Sequence, residues 1–120
     1  MPFPLQITFR HMDPSPALEA RVRELAARLE RFSADIMSCH VTIEVPHQHQ
    51  LQGRIFEVGI ELAVPRHQLV VSREHRERHT HEDVYVALRD AFHAMRRQLE
   101  DHERLRRQDV KPVKGGEPGA

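Results

Sequence analysis

The sequence predicts an α+β fold, a two-layer sandwich in which a four-stranded mixed sheet carries two helices on one face. Three observations lead there. Apolar and polar residues alternate over four short segments, the period of a half-buried strand. Over two longer segments the apolar residues recur at steps of three and four, the period of an amphipathic helix. The segments run strand, helix, strand, strand, strand, helix (β-α-β-β-β-α), and the short turns after the second strand suit antiparallel hairpins. The first strand–helix–strand unit should be a right-handed crossover between parallel strands. Each strand has a single apolar face, so the helices should cover one side of the sheet and leave the other wet.

The first strand is read over Pro4 to Arg10, with Leu5, Ile7 and Phe9 inward. HMDPSP breaks it; Ser15 is a good N-cap and Pro16 suits the first helical position. Leu18, Val22, Leu25, Leu29 and Phe32 then mark a helix ending near Phe32 or Ser33. From Ile36 to Val45 the period returns to two, with Met37, Cys39, Val41, Ile43 and Val45 on one face. PHQHQLQG is a polar turn. Phe56 to Val64 gives the third strand, Pro65 and Arg66 a turn, and His67 to Glu74 a shorter fourth strand with Leu69 and Val71 inward. The wet face should carry Thr8, Arg10, His40, Thr42, Glu44, Glu57 and Glu61.

The last helix is read over Thr80 to Arg107, with Val84, Leu88, Ala91, Met95 and Leu99 as its inner stripe. Thr80 and Asp83 approximate a capping box. Residues 1–107 should form one domain, and the Pro- and Gly-rich tail 108–120 should be disordered.

The 120 residues suffice for a core without staples. With 18 basic and 18 acidic residues the net charge is formally zero, which excludes a uniformly basic nucleic-acid binder but not one whose charge is segregated by face. One Tyr and no Trp make a base-stacking aromatic platform unexpected. No apolar run reaches membrane-spanning length and no secretory signal is evident, so the expectation is a cytoplasmic protein without membrane attachment.

Taking Val84 as zero on a helical wheel, Arg89 and Arg96 fall at about 120–140°, with His93 and Arg97 further round. The first helix carries Arg21, Arg28 and Arg31 along one side of its polar face. Arginines in such ridges suit phosphate. The plainer reading is a solvated face with i,i+4 pairs such as Arg96 with Glu100. If the helices lie side by side, the ridges could form a joint basic groove. The histidines His47, His49, His67, His75, His79 and His81 are read as exposed loop residues, with no metal site expected. Cys39 is read as a buried structural thiol. No Gly-rich phosphate loop, nucleophile elbow or HExxH motif is present, so neither enzymatic activity, a cofactor nor a small-molecule substrate is expected.

Four words of the chain, in this order, resemble the ribosome hibernation factors, a family that includes the hibernation-promoting factor and protein Y. They are ITFR, ALEARVRELAARLERF, IMSCHVTIEV and DVYVALRDAFHAMRRQLEDH. The last is similar to the family's Asp-Met-Tyr-Ala-Ala-Ile followed by a basic helix, and the resemblance spans roughly Leu5 to Leu105. It implies a domain of the short type that binds small-subunit rRNA in the mRNA and tRNA channel and inhibits translation during stress. Asp83 and Tyr85 match the family's Asp-x-Tyr, Arg28 and Arg31 its basic positions in the first helix, and Arg97, Gln98 and Leu99 its Arg-Gln-Leu. Ala94, Glu100, Asp101 and Glu103 stand where the family usually has Lys or Arg, whereas Arg89, His93 and Arg96 add positive charge elsewhere. Neutralised positions should weaken rRNA binding. The expected rRNA-binding set is therefore Arg21, Arg28, Arg31, Tyr85, Arg89, His93, Arg96 and Arg97, with the small ribosomal subunit as partner. The alternative is a diverged protein-interaction module on the same fold, possibly dependent on histidine through pH or metal; the sequence leaves its oligomeric state open.

Overall fold

Alternating apolar side chains draw β1 (Leu5–Arg10) and β2 (Ser38–Glu44) together as parallel neighbours, Leu5 opposite Cys39 and Arg10 opposite Glu44. The intervening α1 (Pro16–Leu29) makes the crossover. β4 (Gly53–Val64) pairs antiparallel with β2 and, along its other edge, with β5 (His67–Arg76). The long strands therefore lie in the order β1-β2-β4-β5. α2 (Glu82–Gly115) returns across β4 and β5 and touches α1. The computed structural model describes the backbone of residues 3–45, 48–49, 53–76 and 82–115, and the side chains of 3–45, 56–73 and 84–107.

This is the α+β sandwich expected, with four long strands and two helices. The differences have local causes. The polar turn after β2 contains a two-residue strand, β3 (Gln48–His49), paired with Gly53 and Arg54. α1 stops at Leu29, and the amides of Arg31 and Phe32 bond back three residues to Arg28 and Leu29, a tightened last turn. Met37, expected inward, is 57% exposed: β2 starts only at Ser38, so strand alternation does not reach it, and Ile36 is buried instead. Phe3, ahead of the expected first strand, is also buried. The α2 backbone is helical to Gly115, past the expected end at Arg107. Thr80 and the side chain of Asp83, the expected capping box, lie outside the described residues, as do 116–120.

The β4–β5 turn is formed by Pro65 and Arg66. Proline fixes a negative φ at the first position and Arg66 takes φ 69°, the combination of a type II turn.

The core lies between sheet and helices. Val41, Ile43, Val58, Ile60 and Leu62 project from the sheet, and Val22, Leu88, Met95 and Leu99 come down from the helices, all essentially inaccessible. Each such side chain contributes roughly 1.5–3 kcal/mol by leaving water.

Among the described residues one carboxyl side chain is buried near them. Glu103 of α2 is 8% exposed. The Ser33 hydroxyl donates to its Oε2 at 2.6 Å, and Arg106 lies 3.4 Å from its Oε1. Arg106 in turn holds Asp35 at 2.5 Å, and the Asp35 amide donates to Ser33 Oγ at 3.1 Å. The network fastens the segment following α1 to α2.

Replacing Leu88 by Ala should cost about 2–5 kcal/mol through a core cavity. Glu103→Ala should cost about 1–3 kcal/mol by leaving the Ser33 hydroxyl without its acceptor, Arg106 keeping Asp35. Glu100→Ala, on the exposed side of the same helix, should change stability by less than about 0.5 kcal/mol. Urea midpoints of the three variants test this ordering.

Candidate nucleic-acid interface

Ser15 caps α1, its hydroxyl accepting from the Leu18 amide at 3.2 Å, and Pro16 supplies the first-turn position where no amide is missed. Burial of Leu18, Val22, Leu25, Ala26 and Leu29 fixes the rotation of α1. Its polar side then presents Arg21, Arg28 and Arg31 toward α2. Burial of Val84, Leu88, Ala91, Met95 and Leu99 fixes α2 in the same way. Arg89, His93 and Arg96 consequently stand on the flank facing α1.

The two flanks meet across a groove of about 230 Å³. Leu25, Leu29, Phe32 and Phe92 make its floor, and Arg21, Arg28, Arg31, Arg89, His93 and Arg96 its walls; among the described residues no carboxylate lines it. The Arg96 guanidinium lies over the Phe32 ring, 5.0 Å from its centre, a cation–π contact that ties the segment after α1 to α2 across the groove. Arg21 bonds Glu24 at 2.8 Å, and this bond with the arginine's field holds the Glu24 carboxyl below its ordinary pKa. Arg89 reaches Asp90 and Arg96 reaches Glu100, each at 3.6 Å on exposed rims. Arg28 and Arg31 make no ion pair among the described residues.

Six of the eight residues singled out in the sequence thus share one groove. The other two do not. Arg97 is exposed on α2 outside the groove. Tyr85 lines a separate cavity of about 920 Å³ with His11, Pro14, Leu18, Phe56 and Val84. The apolar floor was the part missed. Phe32 reads as core from its spacing, and Phe92 falls on the wheel at about 80°, between the inner stripe and the arginine ridge, which is the signal that could have placed it.

The acidic positions of α2 behave differently from the simple expectation of a neutralised ridge. Ala94 is buried, so a long basic side chain there would point into packed protein. Glu103 is buried in the network described above. Asp101 bonds Arg104 at 2.6 Å, so of these four positions Glu100 is the one that engages a groove arginine.

The wet sheet face has the opposite character. Glu44 and Glu57 are cross-strand neighbours, and His40 neighbours Glu61. His40 also bonds the Thr8 hydroxyl at 2.9 Å, and His11 lies 3.3 Å from Glu44. Among the described residues no group of three potential metal ligands converges. His67 packs edge-on against His102, ring centres 5.3 Å apart; the side chains of His47, His49, His75, His79 and His81 lie outside the described residues. Also among the described residues, no helix is long and apolar enough to cross a membrane.

Cys39 is 2% exposed, and burial pushes its thiol up to about 12 from an ordinary 9.0. The native thiol is protonated and enclosed, hence no nucleophile at neutral pH. In the unfolded chain it ionises near pH 9, so the unfolded state binds fewer protons between there and about pH 12 and stability falls as pH rises through that window. Thiol titration with a disulfide reagent at pH 8 should show negligible reaction of folded protein and one equivalent in denaturant. Cys39→Ser should remove the thiol's contribution to the alkaline loss of stability, on top of a pH-independent cost of burying its hydroxyl.

The model of the family described as Sigma 54 modulation protein / S30EA ribosomal protein matches residues 5–107. Among solved structures, the fold is similar to that of a ribosomal subunit interface protein from Coxiella burnetii, with a TM-score of 0.63 at 19% identity, covering 83% of this chain and 97% of that one. It is also similar to the N-terminal domain of Thermus thermophilus Protein Y, with a TM-score of 0.64 at 18% identity, covering 81% and 94% respectively. No curated protein sequence matches significantly. At these identities the structural likeness shows a shared fold.

Proposed function

Because the chain belongs to the Sigma 54 modulation protein / S30EA ribosomal protein family, we propose that it is a ribosome-associated translation inhibitor that binds small-subunit rRNA. The observation that carries this reading is the inter-helix groove. A chain with no net charge concentrates five arginines and a histidine there, with no carboxylate among the described lining residues. Guanidinium groups engage phosphate oxygens in two-pronged hydrogen bonds, and each phosphate neutralised releases condensed counterions. The glutamates of the opposite sheet face repel RNA, so the molecule docks helix side first.

No covalent chemistry is required of such a protein. Its effect is occupancy: a rigid sandwich seated in the mRNA and tRNA channel excludes those ligands for as long as it stays bound. Such a role places it in the cytoplasm, on idle ribosomes under stress. Tyr85 and Arg97, outside the groove, would add contacts only where rRNA extends beyond the groove walls.

Cosedimentation of the purified protein with small ribosomal subunits tests the reading. Binding should weaken steadily with salt, with a log–log slope of about −3 to −5 if four to six phosphates are engaged. Charge reversal of Arg28, Arg31 and Arg96 to Glu should abolish it, while Arg97→Glu should weaken it only slightly. Undiminished binding of the triple variant would refute the groove assignment.

A further inference from the structure

The groove is more than a cationic surface, and its floor is the reason. A site built solely for phosphates needs donors at the rim and no apolar base. Here Leu25, Leu29 and Phe92 are buried beneath the arginines, and Phe32 is half-buried among them. Building on the rRNA reading above, we infer that the groove receives a single unpaired RNA nucleotide, its base resting on the apolar floor and its flanking phosphates held by the arginines.

Size supports this occupant. At about 230 Å³ the groove is smaller than the roughly 300–1,000 Å³ of a typical small-molecule pocket. A duplex backbone cannot descend between two packed helices, but one splayed-out base can. RNA recognition commonly targets such unstacked bases, laying them on aromatic rings or guanidinium planes. Phe32 and Arg96 already form such a pair, 5.0 Å apart. A base entering the groove meets that cation–aromatic stack at its edge.

Charge supports it as well. Arg31 and Arg28 make no ion pair within 4 Å among the described residues, Arg28 acting on Glu24 only through its field. Across from them Arg89 holds only its sequence neighbour Asp90, at an exposed rim. Phosphates on either side of the inserted nucleotide therefore find cations on both helices. The Ser33–Glu103–Arg106–Asp35 network holds the chain immediately after Phe32 against α2, keeping the floor and the Arg96 wall together.

The test uses the full chain and short labelled RNAs of equal length: a single strand, the same strand with a central run of abasic sites, and a duplex. Fluorescence anisotropy at fixed salt should show the intact single strand binding about tenfold more tightly than the abasic strand, the scale expected of one stacked base. The duplex should bind no better than the abasic strand. A 2-aminopurine in the single strand should change its emission on binding. Phe32→Leu should remove the difference between intact and abasic strands without altering the salt slope, and Phe32→Tyr, which keeps the ring, should retain it. Urea midpoints of both variants show whether each is folded. Equal affinity for intact and abasic strands, with ribosome cosedimentation preserved, would overturn this inference and leave the proposed function standing. Loss of both RNA binding and cosedimentation in the unaltered protein would remove both.

Discussion

Every other feature of the molecule depends on the seating of two amphipathic helices on the one apolar face of the sheet. Val41, Ile43, Val58, Ile60 and Leu62 give that face a continuous floor of branched aliphatic side chains. The stripe from Val84 to Leu99 locks the rotation of α2 upon it, and the stripe from Leu18 to Leu29 does the same for α1. A helix whose inner stripe is fixed has no freedom left in where its polar residues point. The apolar positions thereby decide that arginines on two separate helices look at each other across a groove.

That arrangement would be electrostatically unfavourable without compensation, because like charges are brought together at the seam. The compensation is distributed. Glu24, Asp90 and Glu100 sit at the outer rims, where water screens them, and partly offset Arg21, Arg89 and Arg96. The Arg96–Phe32 contact disperses one charge over an aromatic face. The buried Glu103 acts elsewhere: it ties the end of α1 to α2 through Ser33, and Arg106 and Asp35 complete its network. A residue that reads as a liability to a basic surface is instead part of what holds that surface in shape.

The two faces of the sandwich differ in their local charge. Glutamates recur on the open sheet face and arginines gather in the groove between the helices, a local arrangement that a formal net charge of zero does not reveal.

Much of this was legible in the chain. The periods of two and 3.6, the Ser15 cap and the Pro65 turn determine element type, order and the inner face of each helix, because these depend on neighbours within a few residues. The resemblance in motif order led to the family that the match over residues 5–107 establishes. Strand ends were less legible: Met37 follows the alternation in sequence yet lies one residue outside β2, where hydrogen bonding to β4 decides the register. The long-range facts belong to tertiary structure alone. Nothing local distinguishes Glu103, which is buried and bonded to Ser33 seventy residues earlier, from the exposed Asp101 two positions before it. Nor does any local pattern show that Arg28 and Arg96 wall one groove while Arg97 stands outside it. Sequence determines which side of a helix is polar; only the packing of that helix against its neighbours determines what its polar side faces.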